Sequence, residues 1–213
     1  MNTRLRNHLL LGFVALVGTG LLAVWFENDR PWFGWSMGSA WVALLYFALT
    51  LSIGPWRWLR GMPTGLSSFL RRDIGIWTAL LALVHTGAGL QVHLGGDVPG
   101  QFFRRDEMSG ELTGLLLNLA GIANYTGLIV AVILLLLLSL SNNMSLRRLG
   151  SQRWKSLQRL AYIAALLLPV HGLAYQWIER RPTIYVLIFG VCCLLVLGLQ
   201  LTAWRRRRQQ QPE

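Results

Sequence analysis

An all-α fold of six membrane-crossing helices, with both termini in the cytoplasm, is predicted from three observations. Hydrophobic residues make up 54% of the 213 and charged residues only 14%. The apolar residues gather into six runs of nearly 20 residues or more, the length needed to cross a bilayer core. The basic residues lie at the ends of those runs rather than inside them, and that placement reads as topology, not as a nucleic-acid surface, despite the net charge of +11.

The spans are expected at about 9–26, 35–54, 74–94, 120–140, 160–178 and 184–204. Backbone N–H and C=O groups in lipid must be satisfied within the segment, so each span is helical. The first has the basic-then-apolar grammar of a signal peptide but no small-residue cleavage site before Glu27, and is read as an uncleaved span. With the N-terminus inside, fifteen of the twenty basic residues fall on the cytoplasmic side. They are Arg4, Arg6, Arg57, Arg60, Arg71, Arg72, Arg147, Arg148, Arg153, Lys155, Arg159 and Arg205 to Arg208. The opposite loops hold Arg30, Arg104, Arg105, Arg180 and Arg181 together with seven of the nine acids, which satisfies the positive-inside rule. Trp25, Trp32, Trp35, Trp56, Trp58, Trp154, Trp177 and Trp204 fall near span ends, where amphipathic rings favour the headgroup layer.

Three segments lie outside this grammar. Residues 95–111, with FFRRDEM at their centre, form the longest outer loop and a candidate docking surface. Residues 112–140 exceed one crossing, so their first part is expected to be an interfacial or re-entrant piece. The tail RRRRQQQPE reads as a solvated end near anionic lipid. The whole of 1–213 reads as a single transmembrane domain. Cys192 and Cys193 are adjacent within an apolar run and serve as filler.

Two histidines break the apolar pattern. His85 follows Arg71-Arg72-Asp73 and a dozen apolar residues, and His171 follows Arg153, Lys155 and Arg159 in the same way. An ionisable side chain inside a span marks a functional site, and neutral imidazole is the commonest metal ligand. The third and fifth spans run parallel, so depth is counted from their basic starts. His85 is thirteen residues past Arg72 and His171 twelve past Arg159, which puts both about 18–20 Å in at 1.5 Å per residue. Two imidazoles at one level on facing helices suit the two axial positions of a haem iron. The glycines nearby, Gly87, Gly89 and Gly172, leave room for a flat macrocycle, although small residues also serve helix packing. Arg104, Arg105, Arg180 and Arg181 are candidate partners for outward-facing propionates. His93, about 12 Å beyond His85 by helix rise, is an interface residue, His8 a structural one, and Gln158 an interfacial polar residue.

The run SNNMSLRRLGSQRWKSLQRLAYIAALLLPVHG, preceded by LRRDIGIWTALLALVHTGAG, resembles the ferric-reductase-like transmembrane domain family. Within it, the likeness is to the haem-binding membrane subunits of bacterial periplasmic methionine-sulfoxide reductase systems, and spans roughly residues 40–205. The resemblance implies a b-type cytochrome, an electron-transfer subunit rather than a self-sufficient enzyme. It would sit in the bacterial inner membrane and carry electrons from a cytoplasmic flavin (FMN) or quinol to a periplasmic redox partner. In that family the Trp-x-x-Leu-His-Arg pattern carries a histidine where this chain has Gln158. Arg71 and Arg72 stand where two-haem relatives have another, and an Arg-Pro-Tyr segment is missing from 95–121. One bis-histidine haem b is therefore expected. The competing expectation is a structural or assembly subunit of a larger membrane redox or photosynthetic complex that retains the bundle.

Overall fold

The computed structural model describes residues 3–62 and 69–210; the last three residues of the basic tail lie outside them. Six helices are long and apolar enough to span a membrane, as expected. They are α1 (Thr3–Trp25), α2 (Phe33–Leu59), α3 (Phe69–Val92), α4 (Leu119–Leu140), α6 (Leu160–Ile178) and α7 (Thr183–Gln209), with a shorter α5 (Asn143–Gln158) between α4 and α6.

Several helices outrun their apolar cores. α3 starts at Phe69 and α7 continues to Gln209, because arginine is a good helix former and cations in a last turn favour the helix dipole. The segment α5 is basic and amphipathic with no buried residue. Its apolar and charged positions suit a helix lying against the basic face. Asn118 and Asn142 cap α4 and α5, each accepting from the backbone N–H three residues on, at 2.9 and 2.7 Å.

The expected re-entrant piece before α4 is instead a β-hairpin. Strands β1 (Phe103–Arg105) and β2 (Leu112–Leu115) pair antiparallel, with Phe103 opposite Leu115 and Arg104 opposite Gly114. The expectation rested on the length of 112–140, which exceeds one crossing, but the local chemistry of the turn decides otherwise. The Asp106 carboxylate accepts from the backbone N–H groups of Met108 and Ser109 and closes the turn. Arg105 grips Asp97 through two 2.8 Å hydrogen bonds. Gln101, buried at the foot of the hairpin, donates to the Leu90 carbonyl and receives Asn124 from α4 on its own, both at 2.7 Å. Tyr125 donates to the Phe102 carbonyl. The hairpin is thereby fastened to α3 and α4.

Packing runs α2 to α3, α3 to α4, α4 to α6, α6 to α7 and α7 back to α2, so five helices close a ring. α1 lies outside it, against α2 and α3. One apolar cluster, including Ala15, Val42, Tyr46 and Ile74, joins α1 to α2 and α3. A second joins Phe47 and Leu51 of α2, Ala79 of α3, Leu134 and Leu137 of α4 and Ala164 of α6. Fully covered Ala15, Ser39 and Ala164 let the backbones approach closely, the usual basis of helix association where lipid offers no hydrophobic drive.

Asp73 is completely buried near the basic end of α3 and takes partners from α1. Arg4 and His8 approach one of its oxygens at 3.3 and 3.2 Å, and the Asn7 amide donates to the other at 3.3 Å. The sequence expectation that His8 is structural agrees with this contact. A buried carboxylate that keeps its charge needs such partners, so the cluster pins the start of α1 to α3. Replacing Asp73 by alanine is expected to lower stability by about 1–3 kcal/mol, because its partners are themselves one-third exposed and regain water. Thermal unfolding of the detergent-solubilised protein measures this; an unchanged midpoint would show that the cluster contributes nothing.

Candidate haem cavity

The ring of helices encloses an apolar cavity on the half of the bundle opposite the basic face, above the second cluster, and both span histidines line it. Their imidazole centres are 5.9 Å apart and their planes are inclined at 77°. The two histidines that the sequence count put at one depth thus come together edge-on, one from α3 and one from α6.

Each ring is held by the same device. His85 Nδ1 lies 2.9 Å from the Ser36 carbonyl and 3.2 Å from the Ser36 hydroxyl, both on α2. His171 Nδ1 lies 2.8 Å from the Ala123 carbonyl on α4. A carbonyl only accepts, so Nδ1 of each ring carries the proton and Nε2 is left with its lone pair. Neither Nε2 has a hydrogen-bond partner among the described residues. An imidazole whose Nδ1–H is spent on a carbonyl presents Nε2 in a fixed tautomer and orientation, the arrangement that metal-ligating histidines use. A metal bound by both nitrogens at ~2 Å each needs ring centres roughly 6 Å apart. The donor set and its spacing thus fit a metal held between two neutral imidazoles.

Close approach at two glycines shapes the walls. A side chain on Gly127 of α4 would begin 2.5 Å from His171 Nδ1, so only glycine lets that imidazole reach the Ala123 carbonyl one turn back. Gly127 escaped the sequence reading, since its role depends on a residue forty-four positions away. Gly172 borders the cavity, but a Cβ there would stand 2.5 Å from the Phe189 ring of α7, so its smallness seats that ring. Gly89 also lines the cavity, where a Cβ would approach the Ser36 hydroxyl at 3.4 Å. Gly87 faces away, in a shallow groove with Trp32 and Trp35.

The outer mouth carries an ionic cluster whose central residue, Glu179, was not singled out in the sequence. Arg30, from the α1–α2 connection, forms paired hydrogen bonds of 2.8 and 2.6 Å to the two Glu179 oxygens. Arg181 and His93 each approach the same carboxylate at 3.8 Å. The guanidinium groups of Arg30 and Arg181 both lie over the Phe33 ring. The Arg30 hydrogen bond holds the Glu179 carboxyl below its usual range, against the opposing effect of burial. Burial pushes the His93 imidazole down, with Glu179 pulling it back up and Arg30 and Arg181 adding to the depression.

Of the arginines proposed for propionates, Arg181 lines the cavity, whereas Arg104 is exposed on β1 and Arg180 is exposed beside it in the chain; neither lines it. Arg105 is engaged with Asp97. On the basic face, the Gln158 amide nitrogen is buried without a hydrogen-bond partner, so this residue is not the freely hydrated one its interfacial position suggested. No second pair of histidines meets there among the described residues.

Comparison with known proteins agrees with this architecture. The pattern of the family described as "Ferric reductase like transmembrane component" matches residues 36–169. A protein of Ralstonia nicotianae called protein-methionine-sulfoxide reductase heme-binding subunit MsrQ is 28% identical over 203 residues, 94% of this chain and 84% of its own. A protein of the same name from Herminiimonas arsenicoxydans is 27% identical over 173 residues, covering 77% of this chain and 68% of its own. No solved structure matches. Since the family match runs from α2 into the first half of α6 and takes in more than half of the sequence, this multi-pass membrane protein belongs to the ferric reductase like transmembrane family.

Proposed function

We propose that the chain is the haem-binding membrane subunit of a bacterial inner-membrane electron-transfer system. In this reading one b-type haem lies between His85 and His171, and electrons pass between a donor on the cytoplasmic, basic face and a redox partner on the other side. The observation that carries it is the pair of imidazoles, each with Nδ1 bonded to a helix carbonyl and Nε2 free, 5.9 Å apart in an apolar cavity. The names of the relatives, which are heme-binding subunits of a methionine-sulfoxide reductase, support the same conclusion.

When bound, the haem would supply one-electron chemistry, with His85 and His171 as the residues that would hold it. The protein's part is orientation and exclusion of water. Ser36 and Ala123 fix the tautomer and restrain the orientation of the two rings before the ligand arrives. Met37, Phe47, Leu134 and Leu168 keep the interior apolar. At the outer mouth, Arg181 is the arginine available to an acidic edge group. A single haem is favoured because the remaining histidines are engaged elsewhere, His8 with Asp73 and His93 with Glu179. The absence of an imidazole at Gln158 agrees. Electron entry from a flavin or quinol and exit to a methionine-sulfoxide reductase partner follow the family resemblance.

The purified protein is expected to show a Soret band, split reduced peaks and one haem per chain by pyridine haemochrome assay. Either His85→Ala or His171→Ala should abolish the spectrum while preserving elution as a folded species. A colourless wild type that is nevertheless needed for assembly of a larger complex would point to the structural role instead. Gly127→Leu tests the pocket independently. The added side chain should displace His171 from Ala123 and reduce haem occupancy at least tenfold, as read by absorbance per chain.

A further inference from the structure

A ladder of rings leaves the cavity beside His171. The Tyr175 ring lies 5.2 Å from the His171 ring and 5.4 Å from the His93 ring, centre to centre. The Tyr175 hydroxyl donates to Asn124, which holds its ring in line. At the far end His93 Nε2 stands 3.8 Å from Glu179. His93, Glu179 and Tyr175 all line the cavity, and His93 lies eight residues and two helical turns from His85. None of these features is needed to hold a metal between His85 and His171.

We propose that His93, backed by Glu179, is the proton-accepting site coupled to electron uptake in this protein. The inference rests on the haem reading above. An electron delivered by the flavin or quinol donor to a haem held at His85 and His171 would add one negative charge to the cavity. His93 then takes one proton at its free ring nitrogen from the outer aqueous side. The balance is one electron and one proton in, with no bond broken in the protein.

The surroundings favour histidine over the carboxylate as acceptor. Glu179 is tied to Arg30 by two hydrogen bonds and faces Arg181, so its proton affinity is held low. His93 faces Glu179 directly, with Arg30 and Arg181 behind it and Tyr185 of α7 beyond Arg181. The Tyr175 ring of α6 lies against His93, the cavity-lining Phe33 of α2, Gln101 at the hairpin foot and Asn124 of α4 carry no charge, and Asp97 on the hairpin side is occupied by Arg105. Burial and the two arginines keep His93 neutral at pH 7 before reduction. A unit charge ~10 Å away at an effective dielectric of about 20 changes proton affinity by roughly tenfold or more. By linkage, protonation of His93 favours the reduced form by the same factor.

The test is a spectroelectrochemical titration of the haem-loaded protein from about pH 4.5 to 8. For the wild type, the midpoint potential should be higher at the acid end by roughly 59 mV, the equivalent of a tenfold shift for one electron. The change should be centred below the ordinary histidine value of about 6.5. His93→Gln should keep the same absorption maxima and lose this dependence. Glu179→Gln should move it to lower pH, because the carboxylate that favours the imidazolium is gone. Infrared difference spectra of the wild type, reduced minus oxidised, should show imidazolium bands appearing, a measurement independent of any variant. A loaded protein with a flat potential, or an unaltered slope in His93→Gln, would overturn the inference while leaving the haem assignment intact. A wild type with no Soret band would instead remove the functional reading on which it rests.

Discussion

Two hydrogen bonds, from His85 Nδ1 to the Ser36 carbonyl and from His171 Nδ1 to the Ala123 carbonyl, set the terms for the rest of the molecule. Each acceptor belongs to a neighbouring helix whose carbonyls already serve its own backbone. Ser36 also receives Ser39, and Ala123 also receives Thr126, so both carbonyls sit in crowded polar surroundings inside lipid-facing helices. Such sharing is possible only if α2 lies close to α3 and α4 close to α6. Those two pairs are the most closely packed neighbours in the ring. The tautomer of each ring, the smallness of Gly127 and the pairing of helices are therefore aspects of one constraint.

How far this was legible in the sequence depends on the range of the interactions. The spans follow from apolar length and from arginines at their ends, which are local properties. The level placement of His85 and His171 also follows, because helix rise converts residue number into depth. What the chain does not display locally is which backbone carbonyl each imidazole meets. Ser36 precedes His85 by forty-nine positions, and Gly127 owes its character to His171 across two helices.

The ionic residues were read through their charge alone, and there the sequence was least informative. Arg30 counted as one of five outer cations, yet it supplies the paired grip on Glu179, while Arg104 and Arg180 are exposed and do not line the cavity. Asp73 followed two arginines and passed as part of a topology signal, although its real partners come from α1. The hairpin was hidden for a different reason. Only its second strand carries leucines, and the turn is decided by Asp106 bonding its own following backbone.

The ring of helices is unevenly joined. On the side of the basic face, Ala79 of α3 and Ala164 of α6 share one apolar cluster, whereas toward the other side the same two helices flank the cavity, with the His85 and His171 rings, and beyond them the His93 and Tyr175 rings, coming together across it. A planar group seated there would act as mortar as well as reactant, completing a wall that side chains leave open. Cohesion of that half of the bundle is then tied to loading, and a chain lacking its ligand would loosen first between α3 and α6, while the clustered half stayed closed.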